Sequence, residues 1–208
     1  MNLPKPAKNS REDFDTFFDI EDESGVNGRT ATDEVTGGIN NRISRVFQRS
    51  LGALFNGNRN IYELFFCLTK KLNNFFSLSR SILIIHSERD ESLKVIAMKG
   101  ASNCHVGLAL TLPEKDSLLY RVLNDKEIYT ENYPDKFNGN FIERKLLLDD
   151  NPGSIAVCPV KYKNKIRGLI CLTSPALYAF TLFKDGMLDS ILERFGKSVK
   201  RETKRLRI

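Results

Sequence analysis

Four cysteines and two histidines are the residues of this 208-residue chain best suited to nucleophilic, redox or metal chemistry, and their spacing limits what they can do. Cys67, Cys104, Cys158 and Cys171 form no Cys-x-x-Cys pair, and three of them lie among apolar neighbours, the pattern of reduced thiols in a core. Thiol redox chemistry needs a lowered thiol pKa and a resolving partner. Cys104 is the one cysteine that adjoins a histidine, His105. With only His86 in addition, no metal cluster and no cofactor are expected. Ser, His and Asp show no triad arrangement. The glycines at 25–28 and 37–38 neither follow a strand nor have a lysine at phosphate-loop spacing.

The elements that would position such residues are organised around Gly153–Phe195. Ile155-Ala156-Val157-Cys158-Pro159-Val160 and Ile166-Arg167-Gly168-Leu169-Ile170-Cys171-Leu172-Thr173 are two β-rich runs joined by the polar turn Lys161–Lys165, which is a hairpin signal. Both runs are too apolar to face water on either side, so they belong inside a sheet, covered by the amphipathic helix that follows. Thr181 is expected to cap that helix, with Phe180 as the residue before the cap and Leu182, Phe183, Met187, Leu188, Ile191, Leu192, Phe195 and Val199 on its apolar face. Gly186 inside it costs about 1 kcal/mol relative to alanine.

Net charge is +6, which permits contact with nucleic acid or anionic lipid without requiring it. Its distribution says more. Residues 12–23 are mostly acidic, 39–59 carry Arg42, Arg45, Arg49 and Arg59 with no acid, and the chain is basic again from Lys197. No run approaches the roughly 20 apolar residues of a spanning helix. Lys5 and Lys8 are followed by polar and acidic residues instead of an apolar core, so no secretory signal is expected and a cytoplasmic location is.

Residues 1–38 read as a disordered or loosely attached acidic arm, too poor in apolar surface to offset its ordering entropy. One acidic-aromatic island, Phe14, Phe17, Phe18 and Ile20 among Asp and Glu, is a candidate contact for a partner or for basic segments. Residues 39–56 read as a basic amphipathic helix. Ile39, Ile43, Phe47, Leu51 and Leu54 recur along one stripe beside arginines whose stems can cover apolar area, which suits a dimer seam. Nucleic acid and membrane are not expected partners, since no companion helix completes a helix-turn-helix. Asn60 with Glu63 predicts a capping box before Ile61–Phe76. Strands are then expected over Ser81–His86, Leu93–Met98, Leu108–Leu112 and Glu127–Thr130, a helix capped at or near Asp116, and a short helix Phe141–Leu148. The order specifies an α+β domain over 57–199 and a basic tail at 200–208.

From Asn60 to Val199 the chain resembles the GAF domain family, PAS-related small-molecule-sensing modules. Ser154–Val160, the turn, Ile166–Leu172, Ala179-Phe180-Thr181 and the last helix carry the resemblance, together with Ile82-Leu83-Ile84-Ile85, Gly100, Ser117–Leu123 and Glu127-Ile128-Tyr129. The resemblance implies a central antiparallel sheet with terminal helices on one face and connecting loops and short helices on the other. A ligand would bind on the second face, lined by Ile84, His86, Leu110, Tyr129, Tyr133, Phe137, Phe141, Ala156, Cys158 and Ile170.

Family likeness also frames the alternatives. Asn138, Phe141 and Glu143 do not have the cyclic-nucleotide spacing, and Cys104-His105 lacks the insertions that cradle a bilin. A family member that reduces free methionine sulfoxide would use Cys104 and Cys158 here. Another reading has Phe137, Phe141, Tyr133 and Leu146–Leu148 collapse into the pocket, leaving a scaffold. The implied function is a non-enzymatic regulatory protein that homodimerises and contacts a partner protein, with a small-molecule ligand as its gate.

Overall fold

The structure, a computed structural model, describes residues 49, 51–55, 57, 59–100 and 110–206. The arm 1–38 with Phe14, Phe17 and Phe18, the stripe positions Ile39, Ile43 and Phe47, and the pair Cys104-His105 lie outside the described residues.

Asn60 opens the first long helix as its sequence indicates. Its side chain accepts from the Glu63 amide at 2.9 Å, and the Asn60 amide donates to the Glu63 carboxylate at 3.2 Å. Helix α1 (Ile61–Phe76) follows and stops at Ser77, which takes the left-handed conformation with φ 47°. Its apolar stripe, Ile61, Leu64, Phe65, Leu68, Leu72 and Phe76, is buried.

Among the described residues, six strands form one antiparallel sheet: β1 (Arg80–Ser87), β2 (Ser92–Gly100), β3 (Thr111–Leu112), β4 (Tyr129–Glu131), β5 (Ser154–Tyr162) and β6 (Lys165–Ser174). Their order across the sheet is β3-β2-β1-β6-β5-β4. β5 and β6 are the expected hairpin, but its turn is tighter than the polar run suggested. Lys161 and Lys165 are already in the strands, and Lys163-Asn164 alone make the turn with φ 50° and 61°. Two successive positive φ values match the twist of the paired strands. Gly168 is needed where β6 lies against β1: a Cβ there would fall 2.2 Å from the Ile84 carbonyl oxygen.

Both faces of the sheet are covered. Leu83, Ile85, Ala156, Cys158, Val160, Ile170 and Leu172 pack against α1 and the last helix, α4 (Asp189–Leu206). Ile82, Ile84, Ile155, Val157, Leu169 and Cys171 pack against α2 (Leu118–Asp125) and α3 (Phe141–Leu148). Burial of both faces explains why the hairpin strands read as continuous apolar runs instead of alternating ones.

One expectation about a helix start is corrected. Thr181 does not cap the last helix: Thr181–Asp185 is a separate 3-10 turn, closed by Gly186 with φ 74°, and α4 starts at Asp189. Phe180 is buried against Phe183 and Phe76, ring centroids 5.1 and 6.0 Å away. Ser117, beside Asp116, caps α2, accepting from the Tyr120 amide at 3.0 Å.

Leu51 and Leu54 are also corrected. Both are buried in the cluster formed with α1 and α4, so their apolar surface is used by the chain's own core and is closed to a dimer seam. Residues 200–206 continue α4 without a break, so the basic stretch is helical up to Leu206.

Candidate functional site

The face opposite the terminal helices is held together by one carboxylate. Asn140 caps α3 in a second capping box with Glu143, and the same Glu143 side chain, 0% exposed, reaches across to the start of α2. There it accepts from the Leu118 amide at 2.9 Å, the Leu119 amide at 3.1 Å and the Ser117 hydroxyl, while the Asn140 amide donates to it at 3.1 Å. A helix N-terminus presents unsatisfied N–H groups and a positive dipole end, so an anion is stabilised there. In this chain the anion is internal.

Further bonds pin the loop leading into α3. Asn140 Nδ2 donates to the carbonyls of Pro113 at 3.2 Å and Lys115 at 3.4 Å, Arg144 donates to Phe137 O at 2.8 Å, and Arg121 donates to Asn138 O. Phe137, Leu146 and Leu147 are thereby buried over Ile155, Val157, Leu169 and Cys171. At the far end of α3, the buried Arg80 guanidinium donates to Leu146 O at 2.7 Å and to Asp150 Oδ2 at 2.9 Å.

Concavity survives at the rim of this face, as a cleft of about 390 Å³ whose walls include His86, Glu91, Glu114, Tyr120, Lys126 and Ile166. Tyr120 is fixed there because its hydroxyl accepts from the Leu93 amide at 3.0 Å. Glu88, also on the cleft, pairs with Arg167 at 2.8 Å; that hydrogen bond is the main reason its carboxyl is held below the usual range. Tyr129 is pushed up to about 12, first by burial and then by the neighbouring Glu131 carboxylate.

The residues implied as pocket lining therefore separate. Ile84 and Phe137 are buried in the packed face, Leu110 and Tyr129 pack at its edge, and His86 lines the rim cleft. Tyr133 and Phe141 are exposed at 49% and 70% and fill nothing. The Tyr133 hydroxyl instead shares a 2.5 Å hydrogen bond with that of Tyr178. Ala156, Cys158 and Ile170 are corrected: they belong to the cluster against α1 and α4, on the opposite face. Side chains alternate along a strand, and in β5 and β6 both parities are apolar, so the pattern did not distinguish the two faces.

Burial pushes the Cys158 thiol well up, with the charge of Asp189 adding to it, and burial raises Cys171 as well. Among the described residues no group of three or more His, Cys, Asp and Glu side chains is placed to hold a metal ion. No described helix is long and apolar enough to cross a membrane. Sequence reasoning did not identify Glu143 or Arg80 as organising residues. The Asn140-x-x-Glu143 spacing was a usable signal for the first; the second had none, since its partners lie 65 to 70 residues away.

Solved structures share this arrangement. The GAF domain of a phosphoenolpyruvate-protein phosphotransferase from Coxiella burnetii matches with a TM-score of 0.65 at 11% identity, over 79% of this chain and 97% of that one. The GAF domain of a two-component sensor histidine kinase from Bacillus halodurans matches with 0.55 at 19% identity, over 65% and 90%. A type II free methionine-R-sulfoxide reductase from Thermoplasma acidophilum matches with 0.52 at 20% identity, over 65% and 89%. No protein-family model matches the sequence, and no curated protein matches it. At such identities the likeness is one of fold, and the fold of this chain is GAF-like: an antiparallel sheet with helices on both faces.

Proposed function

We propose that this GAF-like chain is a non-catalytic regulatory protein that homodimerises and contacts a partner protein, with a small molecule at the His86 rim cleft as its gate. The observation that carries this reading is the filling of the sheet's second face by the chain's own Phe137, Leu146, Leu147 and the fully bonded Glu143. A face so closed leaves the outer surfaces as the means of action. On α1, Tyr62 and Phe66 are exposed one turn apart, outside its buried stripe, and offer an apolar contact surface.

The catalytic alternative is a free methionine sulfoxide reductase using Cys104 and Cys158, and the reductase among the similar folds is what favours it. Cys158 argues against it, since a buried thiol with a raised pKa on the terminal-helix face is a poor nucleophile.

Size-exclusion chromatography with light scattering tests the proposal on the full chain. A dimer is expected at micromolar concentration, and Tyr62→Asp/Phe66→Asp or Ile43→Asp/Phe47→Asp is expected to weaken it at least about 30-fold, the effect of losing central apolar anchors. A monomeric wild type, or turnover of free methionine sulfoxide that Cys158→Ser abolishes, overturns it.

A further inference from the structure

Four cations of α4 face a second cleft that the reading above does not use. Arg194, Lys197, Lys200 and Arg201 line an open concavity of about 520 Å³, whose other walls include Phe55, Leu64 and Tyr162. Among the described residues no carboxylate lines it and none of the four cations is in a salt bridge. Three are nevertheless held in place. The Arg194 guanidinium lies 4.9 Å from the centroid of the Phe55 ring, Lys200 Nζ lies 5.4 Å from that of Tyr162, and Arg201 Nη2 donates to the Arg59 carbonyl at 3.1 Å. Ring faces attract cations without neutralising them. The cleft therefore concentrates positive charge in ordered positions, where a merely solvated basic helix face would leave its side chains free in water.

The geometry points to a binding site for a small polyphosphorylated molecule in this cleft. Its volume is within the roughly 300–1,000 Å³ of small-molecule sites. Guanidinium groups offer paired donors that match phosphate oxygens, and ammonium groups supply point charges beside them. Length decides between a phosphate chain and an acidic peptide. Positions 194 to 201 span about 10 Å of helix axis, which a linear triphosphate comes close to covering with about four negative charges. An extended peptide advances about 3.3 Å per residue and shows alternate side chains to one face, so it would offer about two carboxylates over the same length. The cleft lies on the terminal-helix side of the sheet and shares no lining residue with the His86 rim.

Isothermal titration of the full chain with sodium tripolyphosphate tests the inference. Micromolar binding is expected, weakening as salt is raised and at least about ten-fold poorer in Lys197→Glu/Lys200→Glu, as the loss of two charge-assisted contacts implies. Lys115→Glu/Lys136→Glu carries the same charge change at exposed positions that line neither cleft and is expected to bind like wild type. Lys197→Ala/Lys200→Ala, checked by its melting curve, replaces the charge-reversed variant should that one unfold. Absence of heat, or equal losses in the two charge-reversed pairs, overturns the site. So does tighter binding to hexaglutamate or to phosphatidylserine vesicles than to tripolyphosphate, which would assign the surface to an acidic peptide or a membrane instead.

Discussion

Glu143→Ala is expected to lower the unfolding free energy by about 3–5 kcal/mol, the cost of leaving buried donors without their charged acceptor. Three donors of the α2 start lose their partner: the amides of Leu118 and Leu119 and the Ser117 hydroxyl. The α3 capping box is lost with them, since Asn140 also donates to this carboxylate. Each unsatisfied buried donor costs about 1–3 kcal/mol, and the losses are less than additive because the freed helix end can relax. For a domain of this size the melting temperature is expected to fall by about 10 °C, at roughly 2–4 °C per kcal/mol. Glu143→Gln keeps the shape and one acceptor oxygen, so it is expected to recover part of the loss. Urea unfolding measures the free energy, and hydrogen exchange should show the Leu118 and Leu119 amides losing protection first. A loss below about 1 kcal/mol in Glu143→Ala would mean that water replaces the carboxylate and that this residue does not hold α2 to α3.

Arg80→Met has the second largest expected effect. The guanidinium is 1% exposed and makes contacts in two directions. Nε and Nη2 meet Asp150 Oδ2 at 2.9 and 2.7 Å, and Nη1 donates to the carbonyls of Leu146 at 2.7 Å and Lys145 at 3.4 Å. It joins the start of β1 to the last turn of α3, where carbonyls lack intrahelical donors and a cation is favoured. Methionine fills much of the volume but returns none of these bonds, so about 3–5 kcal/mol should be lost, as when one member of a buried ionic contact is removed. Arg80→Lys is expected to fall between, because a single ammonium cannot serve both directions. In Arg80→Met/Asp150→Leu the carboxylate is no longer present to be stranded, and the total loss should be at least about 1 kcal/mol smaller than the sum of the two single variants. Strict additivity in that cycle would show that Arg80 does not contribute through Asp150.

The sequence signals that held are those settled within a few residues of chain. Asn60-x-x-Glu63 set the start of α1 because a cap is made by neighbours three positions apart. Phe141–Leu148 was also placed to the residue, although its Asn140-x-x-Glu143 cap was not used. The β5–β6 hairpin was legible from two apolar runs about a polar turn, although only the backbone shows that Lys163 and Asn164 alone carry it. Where the last helix starts was misplaced because Phe180–Phe195 keeps a helical apolar period across Gly186. The left-handed conformation of that glycine, which periodicity does not register, divides the segment into a 3-10 turn and α4.

The candidate site was less legible than the fold. Its lining was assigned to β5 and β6 by the wrong parity at Ala156, Cys158 and Ile170, although Ile84 and Phe137 are on the implied face. By itself the amino-acid sequence determined the elements, their order and the α+β architecture, because caps, turns and periodicity are properties of short stretches of backbone. The tertiary structure decided which parity of the buried strands faces α1 and α4, that the Glu143 carboxylate occupies the start of α2, and that four α4 cations share one cleft. Each of these depends on what a distant segment brings alongside: a strand apolar on both sides has no preferred face until its covers dock, and a buried charge takes its role from the donors that packing supplies.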